Sequence, residues 1–495
     1  MTPSDRAPVL VGVSQLEQRI DDPLAAREPL DLMIDAVRLA AEDAGAPPLL
    51  REASSFRVTR GMWPYKDPAR VIADAVGNPG AETGITTWGG NSVQSVFTES
   101  AHEIRRGERD IVVLTGAECG NTQAKARRAG AELEWSEAPG EPDRRFGVEL
   151  RMRHRIEAQR GIVEPMHMYA IFENAIRHAR GETLAEHIER VSELWAGFSQ
   201  VAADNPHAWI RDPLTAEEIR TPSAVNRAVS FPYPKFMNSN SNVDQASALI
   251  LASAGTARRL GIPETRWIHP WAATEGHDTY IVSSRDNLHS APGLRIAGRR
   301  CLDLAELDVS DLDHVDVYSC FPSAVQVSAT ELGLDEERPL TVTGGLTFGG
   351  GPLNNYVMQA IARMAEVLRE QPGDIGFVTS NGGFLTKHAF GVYSTEPPPH
   401  GEFRSDSPQE EIDALPTREL AETFEGPVEI EGYTVMFDRD GPSVGLAACR
   451  LDDGGRTWGN TRDGDVLDAM ISEEFCGRPA RLDAQGALTF RGSSA

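Results

Sequence analysis

Residues 85–97 read ITTWGGNSVQSVF, and the fold is best understood outward from this stretch. A β-prone run breaks at Gly89 and Gly90, and apolar residues then recur at helical spacing from Val93 to Ile104. A strand that turns sharply into a helix presents free N–H groups at the positive end of the helix dipole. The stretch therefore predicts either a nucleophile or anion site, or a turn that serves packing alone. It contains no cysteine.

The composition indicates a globular protein of several domains. At 495 residues the chain is long enough for roughly three domain-sized units. Its 48 basic against 74 acidic residues give a formal net charge of -26. Nucleic acids and anionic membranes both require clustered Lys and Arg, so the sequence predicts neither as a partner. A small anionic ligand is compatible with this charge, because local dipoles can bind one.

The cysteines and the apolar runs favour a cytoplasmic location. The five cysteines are scattered and odd in number, as expected in a reducing compartment. No apolar run is long enough for a signal sequence or a membrane span. The chain has no CxxC pair and no HExxH motif, and His167, His178 and His187 lack the i, i+4 spacing of ligands on one helix face. We therefore expect no metal site.

Shifts in composition divide the chain into four parts. Strand–helix–strand patterns typical of an α/β unit occupy residues 1–120 and resume at 235–260. Residues 121–234 are rich in charge and in helical periodicity, which indicates a helical insertion. A second α/β part follows at 261–398. At 399–495, short β-prone runs alternate with Asp-Gly turns, so we expect a small all-β barrel or sandwich.

The two α/β parts share one order of elements. Residues 85–116 run as strand, Gly-Gly, helix, strand and small residues, and residues 340–383 repeat this order. The second copy begins with a β-prone run at 340–343 that ends at Gly344 and Gly345. Self-similarity over so large an offset predicts a duplicated α/β half. The alternative is a pair of unrelated strand–helix–strand units within one large fold.

In the order of these elements the chain resembles the thiolase superfamily over about residues 8–395. It looks closest to the sterol carrier protein-X-like thiolases, especially the type 1 thiolase-like proteins with an additional, OB-like C-terminal domain. The resemblance implies a five-layer αβαβα core made of two similar halves. It also implies an acetyl-CoA acetyltransferase-like protein that takes a coenzyme A thioester and holds no cofactor tightly. The expected partners are a second copy in a homodimer and an accessory subunit.

Four sequence blocks carry the chemistry of that family, and this chain departs from each. The nucleophilic cysteine of many members precedes a glutamine by five residues, so matching Gln94 places that position at Gly89. Tyr318 takes the oxyanion-hole position, which is usually Asn or His. Gly351 replaces the activating histidine of the Gly-His-Pro block, and Ser380 replaces the acid/base cysteine of the Cys-x-Gly block. Without these groups no thioester can form on the protein, and ordinary thiolysis is not expected.

Several polar groups are retained near the same positions. The resemblance makes the backbone N–H groups of Gly90 and Asn91, at the helix start, candidates to hold the oxygen of a thioester. Gly382 and Gly383, near the second turn, are candidates for the same role. His388 lies just past this second glycine pair and is a candidate proton-transfer group.

Three functions remain open from the sequence. The first is non-covalent chemistry on an acyl-CoA, such as retro-aldol cleavage that depends on Tyr318. The second is a non-catalytic protein that binds CoA esters or serves as a scaffold subunit. The third is an acyltransferase whose nucleophile has moved to Ser92, Ser95 or Cys320. Tyr318, His388 and Cys320 also have a purely structural interpretation, as side chains without a chemical role.

Overall fold

Two mixed β-sheets form the middle of the molecule, and a third sheet is built mainly from the C-terminal part of the chain. The structure is a computed structural model and describes residues 4–490. Its strands are β1 (Pro8–Glu17), β2 (Ser55–Val58), β3 (Glu82–Thr86), β4 (Ile111–Cys119), β5 (Arg144–Phe146), β6 (Ala228–Ser230), β7 (Tyr233–Pro234), β8 (Asp244–Ser253), β9 (His269–His277), β10 (His314–Asp316), β11 (Ile375–Gly382), β12 (Lys387–Ser394), β13 (Arg404–Asp406), β14 (Gly426–Phe437), β15 (Pro442–Arg450), β16 (Arg456–Thr461), β17 (Pro479–Leu482) and β18 (Leu488–Phe490).

The helices cover the faces of these sheets and fill the space between the first two. They are α1 (Pro29–Asp43), α2 (Pro68–Ala75), α3 (Ser92–Arg106), α4 (Gly120–Ala129), α5 (Arg155–Gln159), α6 (Pro165–Arg180), α7 (Leu184–Asp204), α8 (Ala216–Arg220), α9 (Ala254–Arg259), α10 (Pro292–Ala305), α11 (Pro322–Leu332), α12 (Tyr356–Glu370), α13 (Gln409–Asp413) and α14 (Gly464–Ser472). Among the described residues, no helix combines the length and the apolar character that crossing a bilayer requires.

The first two sheets repeat one topology. The first has the strand order β1-β8-β4-β2-β3-β5, and the second has the order β10-β11-β12-β9-β13. In the first sheet β2 is parallel to β4, β4 is antiparallel to β8, and β8 is antiparallel to β1. Strands β10, β11, β12 and β9 repeat these three relations in the same order. The predicted duplication is therefore confirmed.

Helices α3 and α12 form the layer between the two sheets. Helix α3 contacts β1 and β8 of the first sheet and β12 of the second, and α12 contacts β1, β8 and β11. On the outer faces, α1 packs on β1 and β8, and α10 packs on β9 and β12. The resulting order of helix, sheet, helix, sheet, helix is the predicted αβαβα core.

Helix α3 is held in place along its whole length. Val93, Phe97 and Ile104 are fully buried on its apolar face, as their spacing predicts. The helix ends at Gly107, whose positive φ of 75° lets its N–H close on the carbonyl oxygen of Ile104. Because both sheets cover this helix, its N-terminus and the Gly-Gly turn before it are fixed at the centre of the molecule.

The second copy of the turn differs from its prediction. Residues 340–343 form no strand, and the buried carboxylate of Asp316 takes up the backbone N–H groups of two of them. Its Oδ2 accepts hydrogen bonds from the N–H groups of Val342 at 3.0 Å and Thr343 at 3.3 Å. An N–H group bonded to a carboxylate is not available to a β-ladder. The chain then forms a π-helical turn at Gly345–Gly349 before α12 begins.

Strand pairing crosses the domain boundaries predicted from composition. Within 121–234, β5 pairs in parallel with β3 and forms an edge of the first sheet, while β6 meets β14 of the third sheet through Ser230 and Met436. Strand β13 lies beyond the predicted end of the second half at 398, yet it pairs with β9. The helical insertion therefore contributes strands to two of the three sheets.

The third sheet has the order β16-β15-β14-β17-β18 and is antiparallel, as the alternating pattern of the tail predicts. The tail is not all-β, however. Asp463, predicted to lie in a turn between strands, caps helix α14, where its Oδ1 accepts a hydrogen bond from the N–H of Val466 at 3.3 Å. Val466, Leu467 and Met470 of this helix are buried, so an amphipathic helix packs on the sheet.

Arg456 on β16 joins the third sheet to the chain segment before α10. Its side chain is fully buried, and its guanidinium binds both carboxylate oxygens of Glu431 at 2.7 Å. It also donates to the carbonyl oxygens of Ser283 at 3.0 Å and Arg285 at 2.6 Å. Nearby, the indole N–H of Trp458 donates to Ser283 Oγ at 2.8 Å. The C-terminal domain thereby fixes the main chain around Arg285.

Replacing Arg456 by alanine is expected to destabilise the protein strongly. The change leaves the carboxylate of Glu431 buried without its partner, which costs about 3–5 kcal/mol of unfolding free energy in comparable cases. Arg462→Ala serves as the control, because Arg462 is exposed and a change there is expected to stay within about 0.5 kcal/mol. Urea unfolding followed by tryptophan fluorescence measures both variants. Equal midpoints for the two would contradict the structural role of Arg456.

Candidate functional site

The turn at residues 87–92 faces the hairpin that joins β11 to β12. A cleft of about 890 Å³ opens at this place. Trp88 and Asn91 line it from the turn, and Lys387 and His388 line it from the hairpin. The two segments come from the two α/β halves, so the site exists only when the halves are packed together.

Gly89 has no room for a side chain. Its φ is +147°, a backbone conformation that disfavours residues with a Cβ. A Cβ built there would lie 2.5 Å from Asn91 Oδ1 and 2.6 Å from Lys387 Nζ. The Gly89 N–H donates to Asn354 Oδ1 at 3.1 Å, which anchors the turn to the loop before α12. The position matched to the family's nucleophile is therefore occupied by the amine of a different residue.

Lys387 is the residue that takes up this space. It is the first residue of β12, and its ammonium group donates to the carbonyl oxygen of Trp88 at 2.6 Å. Burial lowers the pKa of the Lys387 amine, and the charge of Glu149 opposes this shift only in part. A buried lysine amine can lose its proton, whereas a buried arginine guanidinium keeps its own.

Tyr318 lies behind the second glycine of the turn. A Cβ at Gly90 would stand 2.5 Å from the Tyr318 hydroxyl oxygen. The Tyr318 N–H donates to Thr379 Oγ1 at 2.9 Å, which holds the residue next to β11. Its hydroxyl has no hydrogen-bond partner within residues 4–490. Burial, with a smaller contribution from Cys320, raises the pKa of the phenol, so the group stays protonated at neutral pH and is available as a donor.

The hairpin supplies three further residues singled out by the sequence. A Cβ at Gly382 would overlap Asn91 Oδ1, so this glycine permits close contact between hairpin and turn. Gly383 has a φ of +69°, and its carbonyl oxygen accepts a hydrogen bond from the Tyr169 hydroxyl at 3.2 Å. The Ser380 hydroxyl is buried and has no partner among the described residues. All three lie within the hairpin region that faces the turn.

His388 forms a buried pair with Asp278. Its Nε2 lies 2.8 Å from Asp278 Oδ2, while the other carboxylate oxygen accepts the N–H of Gly293 at 3.0 Å. Burial by itself raises the pKa of the Asp278 carboxyl, but the hydrogen bond and charge of His388 outweigh it, and the pKa is lowered overall. The carboxylate therefore orients the imidazole, and Nδ1 is left without a partner in the described structure.

Gly351 lies apart from this cluster. Its N–H donates to the carbonyl oxygen of Asn240 at 2.9 Å, and a Cβ there would overlap Ser239 Oγ. No side chain at this position could take part in the cleft without moving the 239–240 segment. Of the nine candidate positions named from the sequence, Asn91 and His388 line the cleft. Gly89, Gly90, Gly382 and Tyr318 lie at the contact between turn and hairpin, and Gly351 lies against residues 239–240.

Each of the three candidates for a relocated nucleophile is either hydrogen-bonded to a carbonyl oxygen or protonated. Ser92 Oγ donates to the carbonyl oxygen of Gly89, and Ser95 Oγ donates to that of Asn91 at 3.3 Å. Burial raises the pKa of the Cys320 thiol to about 12, so at neutral pH it is a thiol and not a thiolate. None of the three is activated by a neighbouring base within the described structure.

Unsatisfied polar atoms concentrate around the turn and the hairpin. Asn91 Oδ1, Ser380 Oγ, Asn381 Oδ1 and His388 Nδ1 are all buried without a protein partner among residues 4–490. Buried polar atoms normally have a hydrogen-bond partner, so a group of four of them in one region indicates bound water or a polar ligand. Two of the four are amide oxygens, which accept, so the group suits water or a ligand with hydroxyl or amine donors.

One cluster elsewhere has metal-ligand atoms close together, but it does not suit an ion. His178, Glu474 and Cys476 lie near one another at the base of the third sheet. Arg177 already binds both carboxylate oxygens of Glu474, and burial raises the pKa of the Cys476 thiol. A protonated thiol and a carboxylate that is already paired with Arg177 are poor ligands for a metal ion.

Four residues of the site were missed by the sequence prediction. They are Lys387, Asp278, Asn354 and Tyr169. Lys387 stands beside the predicted His388, and its position after a Gly-Gly pair was the one available signal. The other three act across long sequence separations: Tyr169 is in the predicted insertion, and Asn354 bonds a residue 265 positions away. Their roles depend on packing that no local pattern encodes.

These features define a thiolase-type fold, with Gly89 in the turn between β3 and α3. Residues 408–487 match the family model of the thiolase-like protein type 1 additional C-terminal domain. Over 99% of its length the chain matches the crystal structure of a monomeric SCP2-thiolase-like protein type 1 from Mycobacterium smegmatis, with a TM-score of 0.85 and 29% identity, covering 100% of that chain. The predicted resemblance to type 1 thiolase-like proteins is therefore confirmed.

Other relatives match a smaller part of the chain. The acetyl-CoA acetyltransferase of Schizosaccharomyces pombe is 30% identical over 148 residues, which is 30% of this chain and 35% of that protein. That of Methanocaldococcus jannaschii is 23% identical over 167 residues, 34% of this chain and 40% of that protein. The chain thus matches well under half the length of these curated relatives. The Ltp2-ChsH2(DUF35) aldolase shares the fold, with a TM-score of 0.60 and 19% identity over 79% of this chain and 98% of that one.

Placing a cysteine at Gly89 is expected to destabilise the protein and not to create a reactive thiol. The positive φ and the overlap with Asn91 and Lys387 are expected to cost about 1–3 kcal/mol. Gly197→Cys on α7 is the control, because a Cβ there meets nothing within 4 Å. Urea midpoints and mass spectrometry after incubation with acetyl-CoA measure the outcome. A stable Gly89→Cys variant that becomes S-acetylated would show that the position can still hold a nucleophile.

Proposed function

We propose that this protein binds an acyl-CoA thioester in the cleft between the 87–92 turn and the β11–β12 hairpin. The acetyl-CoA acetyltransferases among its relatives support this ligand class. The cleft also carries two arginines, Arg144 and Arg145, in a chain whose net charge is -26. Arg144 pairs with Glu99 and Glu103, and Arg145 pairs with Glu141, so a phosphate of coenzyme A would compete with these carboxylates for the guanidinium groups.

The observation that carries the proposal is the N-terminus of α3 at the cleft. The N–H groups of Gly90 and Asn91 donate to no acceptor among residues 4–490, and both lie at the positive end of the helix dipole. A thioester oxygen is an acceptor of the right kind for such donors. Trp88, which is 37% exposed, offers an apolar surface beside them for an acyl chain.

Thiolysis is not part of this proposal. The reaction needs a thiolate, a base that activates it and a second acid/base thiol in one place. Here the positions matched to these groups are Gly89, Gly351 and Ser380, and Gly351 is not in the cleft. The thiol of Cys320 stays protonated at neutral pH because burial raises its pKa to about 12.

Binding can be tested by calorimetry with acetyl-CoA, acetoacetyl-CoA and free coenzyme A. Ser95 lines the cleft on α3, so Ser95→Trp is expected to fill it and to weaken binding of the thioesters at least about tenfold. Leu39→Trp on α1, at a partly exposed position outside the cleft, is expected to bind like the unaltered protein. The absence of heat with all three compounds would refute the proposal.

A second function is favoured by the unpartnered hydroxyl of Tyr318. As a protonated donor behind Gly90, it suits stabilisation of an enolate oxygen, which forms when the Cα–Cβ bond of a β-hydroxyacyl thioester breaks in a retro-aldol reaction. The products would be an aldehyde or ketone and a shorter acyl thioester. The shared fold of an aldolase is in keeping with this reaction.

Tyr318→Phe tests this second function directly. We expect retro-aldol turnover of a β-hydroxyacyl-CoA to fall by about 10²–10³-fold, with unchanged binding by calorimetry, because one oxyanion donor is lost. Tyr393→Phe is the matched control: its hydroxyl donates to Gln94 Oε1 at 2.7 Å in the core, so its loss affects stability and not turnover. Binding without turnover in the unaltered protein would favour a non-catalytic scaffold.

The expected homodimer also remains a proposal. In the first sheet, β5 pairs with β3 through residues 144–146 and covers the edge that β3 would otherwise expose. A partner copy would therefore have to use another surface than the β3 edge. The related protein from Mycobacterium smegmatis is described as monomeric.

A further inference from the structure

Lysine is rare in this chain. Four of its 48 basic residues are lysines, namely Lys66, Lys125, Lys235 and Lys387, and the other 44 are arginines. Among the ion pairs that lysine or arginine makes in the described residues, arginine supplies all but that of Lys125, including the buried ones of Arg57 and Arg456. Arginine cannot lose its proton in a protein, whereas a buried lysine amine can, and it then becomes a nucleophile. A lysine in the cleft of such a chain therefore calls for a chemical explanation.

The position of Lys387 is that of a nucleophile. Its Nζ lies 2.6 Å from the point where a Cβ at Gly89 would stand, at the start of the strand-to-helix turn. Its Cε lies 2.9 Å from the corresponding point at Gly382. The lysine side chain thus fills the space that the two glycines leave, and its amine is held at the start of the turn.

The immediate partner of the amine leaves it free to react. Lys387 Nζ donates one hydrogen bond, to the carbonyl oxygen of Trp88 at 2.6 Å, and the salt bridges of the described residues do not include it. A carbonyl oxygen accepts more strongly from an ammonium than from a neutral amine, but it carries no full negative charge. The Trp88 carbonyl therefore favours the charged amine less than a paired carboxylate would.

We propose that Lys387 captures a ketone or aldehyde group of the cleft ligand as an imine. The neutral amine attacks the carbonyl carbon, a C–N bond forms, and the carbonyl oxygen leaves as water with the two hydrogens of the amine. No oxidant or reductant takes part. For the proposed acyl-CoA ligand, which this inference takes from the proposed function, the reacting group is a ketone on the acyl chain.

An imine at this place replaces the chemistry that the missing cysteine would supply. Once protonated, the imine nitrogen accepts the electron pair of a neighbouring C–C or C–H bond, which makes bond cleavage beside the carbonyl easier. Asn91 Oδ1 and His388 Nδ1 line the same region without a protein partner, and they are available to the water and the protons that the step releases.

The experiment is reductive trapping in the full chain. Acetoacetyl-CoA, which carries a ketone, is incubated with the protein and cyanoborohydride, and the modified lysine is mapped by peptide mass spectrometry. We expect the reduced adduct at Lys387 at least about tenfold above any other lysine, because Lys387 is the one of the four that lines the cleft, where a bound ligand is held at high effective concentration. Lys66, Lys125 and Lys235 are internal controls. Butyryl-CoA, which has no ketone, is expected to give no adduct.

Variants test whether the amine itself is required. Lys387→Arg keeps the positive charge and donor capacity but forms no imine, and Lys387→Met keeps an unbranched chain without the nitrogen. Both are expected to abolish the adduct, and Lys125→Arg at the surface is expected to leave it unchanged. Equal modification of all four lysines, or a butyryl adduct formed without the reductant, would overturn the proposal.

Acetoacetate without coenzyme A separates this inference from the proposed function. If it is trapped at Lys387 while calorimetry shows no binding of CoA thioesters, Lys387 is a carbonyl-capturing residue and the proposed ligand class is wrong. If acetoacetyl-CoA binds but neither ketone is trapped at Lys387, the proposed ligand stands and the imine is refuted.

Discussion

The site depends on two positions that lack a Cβ. Gly89 and Gly90 let side chains from other elements approach the start of α3 at distances that any larger residue would prevent. Lys387 takes the space beside the first glycine, and the Tyr318 hydroxyl takes the space behind the second. These two groups come from the second α/β half, whereas the two glycines belong to the first. The packing of one half on the other therefore also brings the polar groups of the site together.

The peripheral parts of the chain hold the hairpin in place. Arg456 of the third sheet binds the main chain at Arg285, and the buried guanidinium of Arg285 in turn binds carbonyl oxygens at Phe384 and Leu385. From the other side, the Tyr169 hydroxyl accepts the Leu385 N–H at 3.1 Å. The C-terminal part and the 121–234 segment therefore shape the cleft in two ways. They line part of it, with residues such as Arg144 and Gln409, and they hold the hairpin through buried hydrogen bonds that would be costly to leave unmade.

Burial decides the protonation of the groups in this region. It raises the pKa of the Cys320 thiol to about 12 and raises that of the Tyr318 phenol, so both remain protonated donors. It lowers the pKa of the Lys387 amine. Asp278 remains a carboxylate because its partner His388 compensates for the burial. The same low-dielectric environment thus disfavours thiolate chemistry and favours amine chemistry.

The sequence by itself determined the strand–Gly-Gly–helix turn, the repeated order of elements and the β-rich tail, because hydrophobic periodicity and glycine positions are local signals. It did not reveal that residues 340–343 form no strand or that Asp463 starts a helix in the tail. Only the tertiary structure decided what fills the space at Gly89. Lys387 and Trp88 are 299 positions apart, and their contact results from the packing of two sheets around α3 and α12, which no local pattern specifies.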